Sequence, residues 1–183
     1  MYVLSSGKRS QALQMAKNIS IELLDDARSL HEILESCKNL CKLVGISEEN
    51  SWLDLETSGY LVRYKTRDEL YLNLPPYRKT SWKFYDLYGN MINLSPDMMT
   101  FFGRSTIYHP VKELENSSKI IVESKFLDQF NKFMAEHGTD HVSRSLKIHE
   151  ARITDDEIKQ ILAGVKKQTQ HLLDMVISIL ETE

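Results

Sequence analysis

The chain has 183 residues, of which 27 % are charged and 42 % hydrophobic, with a formal net charge of −3. That near-neutral balance predicts neither a nucleic-acid binder nor a self-repelling tail, and no apolar run of about 18 residues is written into the chain to span a bilayer. The opening Met1-Tyr2-Val3-Leu4-Ser5-Ser6-Gly7 lacks the cationic and apolar regions of a secretory leader. The length fits one domain that buries its core without staples. The two cysteines, Cys37 and Cys41, read as free thiols on a helix, which suits a reducing cytoplasm.

In chain order, Ser10 to about Arg28 reads as a first helix with Leu13, Ala16, Ile19, Leu23 and Ala27 on one side. Ser29-Leu30-His31-Glu32 is a capping-box pattern. It starts a second helix over 30–44, where Leu30, Leu34, Cys37, Cys41 and Val44 repeat at three- and four-residue steps and Gly45 closes the last turn. Ser47 is expected to cap a third helix over 48–57, its early acids suiting the positive end of the dipole. Trp52 and Leu55 are expected to face inward, and Gly59 ends the helix.

Residues 61–110 lose the helical rhythm. Trp82 to Tyr88, then Gly89-Asn90, then Met91 to Leu94 read as a β-hairpin. Asp97 to Phe102 reads as a helical turn, and the proline after His109 keeps that residue extended. Helices resume at 111–116 and at 126–136, with Phe126, Phe130, Phe133 and Met134 on one face of the latter. Residues 119–122 fit strand or helix, and 146–152 are ambiguous. Thr154-Asp155-Asp156-Glu157 is a further capping box. Beyond it Ile158, Ile161, Leu162, Val165, Leu172, Val176 and Leu180 form the longest stripe in the chain. Gly164 within it costs about 1 kcal/mol against alanine, which a packing reason such as close approach to another helix would explain. The two long seams are expected to bury each other. The fold class is then mainly α with some β (α+β): one helix-bundle domain over 1–183, a small central hairpin, and an irregular insert at about 61–110.

One stretch organises the rest. Trp52 followed by Leu55-Glu56-x-x-Gly59-Tyr60, and then Leu74-Pro75-x-Tyr77-Arg78, resembles the signature of the AbiTii-type domain of bacterial abortive-infection proteins. The resemblance implies a mostly helical domain with a role in antiphage defence, and no particular biochemical activity. Trp52, Glu56, Gly59, Tyr60, Pro75, Tyr77 and Arg78 are expected to be internal scaffolding, with Glu56 and Arg78 paired.

Four constellations bear on chemistry. Between residues 58 and 85 six cations, Arg63, Lys65, Arg67, Arg78, Lys79 and Lys83, face two acids and are interleaved with aromatics including Trp82. Cations with stacking rings are how single-stranded nucleic acid is held. The plainer reading, core aromatics with cations answering the acidic third helix, outweighs it. Arg144 and His149, with four residues between them, resemble the motif of HEPN ribonucleases; a guanidinium stabilises phosphate charge and an imidazole moves a proton near neutral pH. A two-residue pattern arises easily by chance, so this is the weaker alternative. Glu136, His137, Asp140 and His141 could ligate a metal, but Gly138 places them at a helix end as ordinary loop residues. Cys37 and Cys41 lack a second pair for zinc. No phosphate loop or nucleophile elbow is present, so no cofactor and no metal are expected, and an enzyme is less expected than a binding module. The expected partners are a protein of a defence system, a second copy, or both; nucleic acid is the lesser candidate and membrane is not one.

Overall fold

The computed structural model describes residues 5–25, 28–46, 51–99, 104–137 and 147–182. The chain divides into two compact units, Met1–Arg78 with Tyr108–Asn116 and Lys159–Glu183, and Lys79–Ile107 with Ser117–Ile158.

The first unit is helical. Helix α1 (Ser6–Leu24) buries Ala12, Ala16, Ile19 and Leu23. It ends earlier than the sequence reading had it, and Ala27 lies outside the described residues. Helix α2 (Leu30–Val44) has the expected bounds: Ser29 accepts the amide of Glu32, and Gly45 takes φ 78° to close the C-terminus. Its seam, α1 and the stripe of the last helix (Asp155–Thr182, here α8) share one core with Leu40, Leu53, Val111, Val165, Leu173 and Val176. Cys37 and Cys41 are buried there as free thiols. Burial pushes the Cys37 thiol up to about 12 and Cys41 to about 11, so both stay protonated and inert at neutral pH.

Helix α3 spans Ser51–Ser58; its expected cap Ser47 lies outside the described residues. Helix α4 (Arg67–Asn73) is one the sequence reading did not include. Thr66 and Glu69 form a full capping box at its start, but only Leu70 and, just beyond its end, Leu74 carry its apolar side. Two apolar positions are too few for periodicity to register.

The second unit holds more β structure than one hairpin. Strand β1 (Lys79–Ser81) pairs antiparallel with β4 (Arg104–Thr106). The expected hairpin forms from β2 (Lys83–Tyr85) and β3 (Met91–Ile92), with Phe84 opposite Ile92. It is one side of a four-stranded sheet in the order β3-β2-β6-β5, where β5 is Ile120–Ile121 and β6 is Glu150–Ile153. Residues read as ambiguous thus supply a central strand. Its Ala151 and Ile153 point inward while Glu150 and Arg152 stay half-buried, a period of two that is too short to separate from a helix by pattern. Helix α5 is Pro96–Met98, α6, in the first unit, is Val111–Glu115, and α7 is Ser124–His137. Phe130, Leu127 and Met134 of α7 pack with Phe84, Ile148 and Ala151. Phe84 and Phe130 stack at 5.6 Å, whereas Phe133, expected on the same face, is 42 % exposed.

Candidate functional site

The two halves of the signature meet in the first unit. Gly59 leaves α3 at φ 84°, and a Cβ there would lie 3.1 Å from both the Tyr108 carbonyl oxygen and Pro110 Cδ. Glycine therefore serves twice, for the left-handed turn and for the close approach. The turn lets the Tyr60 amide donate to the Tyr108 carbonyl at 2.9 Å and swings the Tyr60 ring back over α3. From the other side, Leu74 ends α4 in an extended conformation before Pro75, and a 3-10 turn over Pro76–Arg78 presents Tyr77 and Arg78.

What results is a buried polar knot. Glu56 and Arg78 are both 0 % exposed and form the pair that the sequence leads one to expect. Arg78 Nε lies 3.1 Å from each carboxylate oxygen, Nη2 donates to Oε2, and Nη1 donates to the His109 carbonyl at 2.7 Å. Tyr60 and Tyr77 donate their hydroxyls to Glu56 Oε1 at 2.6 and 2.9 Å. The guanidinium also sits 5.0 Å from the centre of the Tyr60 ring. Burial, then the neighbouring carboxylate, pushes both phenols well above the usual tyrosine range, so they remain donors at any physiological pH. A buried ion pair is tolerable only when its remaining donors and acceptors are satisfied; here two phenols and a carbonyl do that.

The packing reason for Gly164 is Tyr77, a side chain from the 3-10 turn and not another α-helix. A Cβ at Gly164 would lie 2.5 Å from both Cβ and Cγ of Tyr77, so the glycine in the stripe of α8 is a seat for the tyrosine.

Scaffolding is not the whole of it. Trp52, Tyr60, Tyr64 and Tyr77 line a pocket of about 220 Å³ together with Arg63, Asn73 and Gln168. Glu56, Tyr60 and Arg78 are internal as expected, but Trp52 and Tyr77 are half-buried and open onto this pocket. Gln168 was not singled out in the sequence. Its only signal there is a polar residue one turn beyond Gly164, on the longest helix.

A larger cavity of about 490 Å³ in the same unit is lined by Leu23, Leu30, Ile33, Leu162, Arg28 and Glu115, among others. Its charges are already engaged. Arg28 pairs with Glu22 at 2.7 Å, and the Glu115 carboxylate accepts the Leu30 and His31 amides at the start of α2.

The remaining sequence candidates are dispersed. Arg63 and Lys65 are exposed, while Arg78 is fully buried and committed, so it belongs to the interior and not to a surface stripe. Lys83 pairs with Glu157 at 3.5 Å, and Trp82 packs on the core of the second unit. His149 is exposed, its amide donating to the Tyr85 carbonyl at 2.9 Å. Arg144, and Gly138 to His141, lie outside the described residues. Among the described residues no group of His, Cys, Asp or Glu side chains is placed to hold a metal, and no helix is long and apolar enough to cross a membrane.

No curated protein and no solved structure gives a match. The family model AbiTii matches residues 14–182, nearly the whole chain and both halves of the knot. The chain belongs to the AbiTii family, whose name is that of abortive-infection defence proteins.

Proposed function

We propose that this chain is a contact-making component of an abortive-infection system, which works by docking a partner protein through the tip of the β2–β3 hairpin. The supporting observation is that the tip holds large apolar side chains rigidly in solvent. Leu87 is 67 %, Tyr88 85 % and Met91 56 % exposed.

The turn beneath them is tied by one carboxylate. Asp86 Oδ1 accepts the amides of Tyr88 and Asn90 at 2.9 and 2.8 Å, and Oδ2 accepts from Asn90 Nδ2 at 2.9 Å. Those donors hold the Asp86 carboxyl below the usual range, with the Asn90 side chain the largest influence. Gly89 supplies the positive φ of 80°. A turn already fixed loses little entropy on binding, and tyrosine is a residue type that recurs at interface hot spots.

The test is coexpression with the proteins encoded beside it, followed by a mass measurement of the purified particle. The reading expects a stoichiometric complex that Leu87→Asp with Tyr88→Asp dissolves while the chain stays folded. A complex indifferent to both substitutions, or a chain that remains alone, would reject it.

A further inference from the structure

The pocket above the knot has the composition of a base-recognition site. Its walls are largely aromatic: Trp52, Tyr60, Tyr64 and Tyr77 all line it. Two side-chain amides open onto it. Asn73 donates Nδ2 to the Glu69 carbonyl at 2.8 Å, which fixes the amide and leaves Oδ1 as an acceptor. The Tyr77 hydroxyl lies 2.8 Å from Gln168 Oε1 and 2.9 Å from Glu56 Oε1, its one proton shared between the two acceptors. The Gln168 carbonyl is thereby engaged, and its Nε2 is left to donate to a ligand. At the rim stands Arg63, exposed and with no ion-pair partner among the described residues.

Each feature narrows the ligand. One amide acceptor, Asn73 Oδ1, and one amide donor, Gln168 Nε2, together match the paired donor and acceptor on the edge of a heterocycle such as adenine, and ring faces are worth about 1–3 kcal/mol per stacked base. A volume of about 220 Å³ falls below the roughly 300–1,000 Å³ of pockets that enclose drug-sized ligands. The space therefore suits one ring system, with anything attached left outside, and a guanidinium at the mouth suits a phosphate.

We propose that this pocket binds a nucleobase carrying a phosphate: the ring is held between Trp52 and the tyrosines, its edge is read by Asn73 and Gln168, and the phosphate is held by Arg63. The buried pair serves it at one remove, because Glu56 orients both phenols and Tyr77 orients Gln168. The same chemistry is offered by a free nucleotide and by a base in a single strand.

Trp82→Phe leaves Trp52 as the sole tryptophan of the chain, so its emission reports the pocket. That protein is titrated with AMP, GMP, CMP and UMP, with adenosine, with ribose 5-phosphate, and with a single-stranded oligonucleotide. The proposal expects saturable quenching by at least one nucleotide and none by ribose 5-phosphate. Arg63→Ala, a surface change, is expected to weaken the nucleotide about tenfold while leaving the nucleoside unaffected. Gln168→Leu is expected to alter the order of preference among bases. Quenching by the monophosphates identifies a free nucleotide as ligand; quenching by the oligonucleotide alone identifies a base in a strand. The proposal is overturned if neither quenches at millimolar concentration, if ribose 5-phosphate does so equally, or if Arg63→Ala changes nothing.

Discussion

The two units use charge in opposite ways. In the first, a complete ion pair is sealed inside: Glu56 and Arg78 have no exposure, and two phenols and a backbone carbonyl complete their bonding. In the second, the interior is apolar around stacked Phe84 and Phe130. Its ion pairs among the described residues stay at least partly exposed, among them Lys83 with Glu157 at 3.5 Å and Arg152 with Glu150 at 2.7 Å, and Arg152 lies over the Tyr85 ring at 3.9 Å. Water screens such pairs to about 0–1 kcal/mol. A sealed pair is different in kind, since losing one partner strands the other charge. The second unit's order thus rests on packing, and the first unit's signature segment rests on mutual satisfaction of polar groups.

The comparison is broken most severely at the pair itself. Arg78→Met or Glu56→Ala alone is expected to cost about 3–5 kcal/mol, read by chemical denaturation. Phe130→Ala is the matching test in the second unit and is expected to cost a similar amount, about 3–5 kcal/mol, by leaving a cavity beside Phe84. Lys83→Ala, by contrast, is expected to stay within about 0.5 kcal/mol.

A smaller effect sharpens the role of Tyr77. Gly164→Ala would normally favour a helix by about 1 kcal/mol. Here the new methyl would lie 2.5 Å from Tyr77 Cβ and Cγ. Overpacking of that kind costs about 1–3 kcal/mol, so the expected result is a net loss, one that disappears in a Tyr77→Gly background, where both clashing atoms are gone.

Smaller again is a pH effect at His109. Burial, with Arg78 nearby, lowers its pKa from 6.5 despite the opposing pull of Glu113, and its Nδ1 is buried without a partner. The unfolded chain therefore binds the proton more readily than the folded one. Stability is full above about pH 6.5 and falls as the pH drops below it. His109→Gln is expected to flatten that slope in melts between pH 5 and pH 7.

Legibility followed locality. Glu56 and Tyr60 stand four apart, Tyr77 and Arg78 are adjacent, and the proline and glycine that place them are explicit in the chain, so a buried pair was readable before any coordinates. The stripe of α8 and the seam of α2 were readable because many apolar residues repeat with one period. Strand β6 was not, having two inward residues and partners distant in sequence, Phe84 opposite Ala151 and Ile120 opposite Ile153. The pocket was readable only in part. Trp52, Tyr77 and Arg63 stood out, whereas Gln168 and Asn73 reach it through tertiary placement that no local pattern encodes.

The most direct test of the sealed pair is a double-mutant cycle on Glu56→Gln and Arg78→Met, with unfolding free energies measured for all four proteins at pH 7. The structure predicts that the double change costs less than the sum of the two single changes, with a coupling of about 3 kcal/mol. Additivity to within about 0.5 kcal/mol would contradict it, because two groups that share one dry, fully bonded site must feel each other's removal.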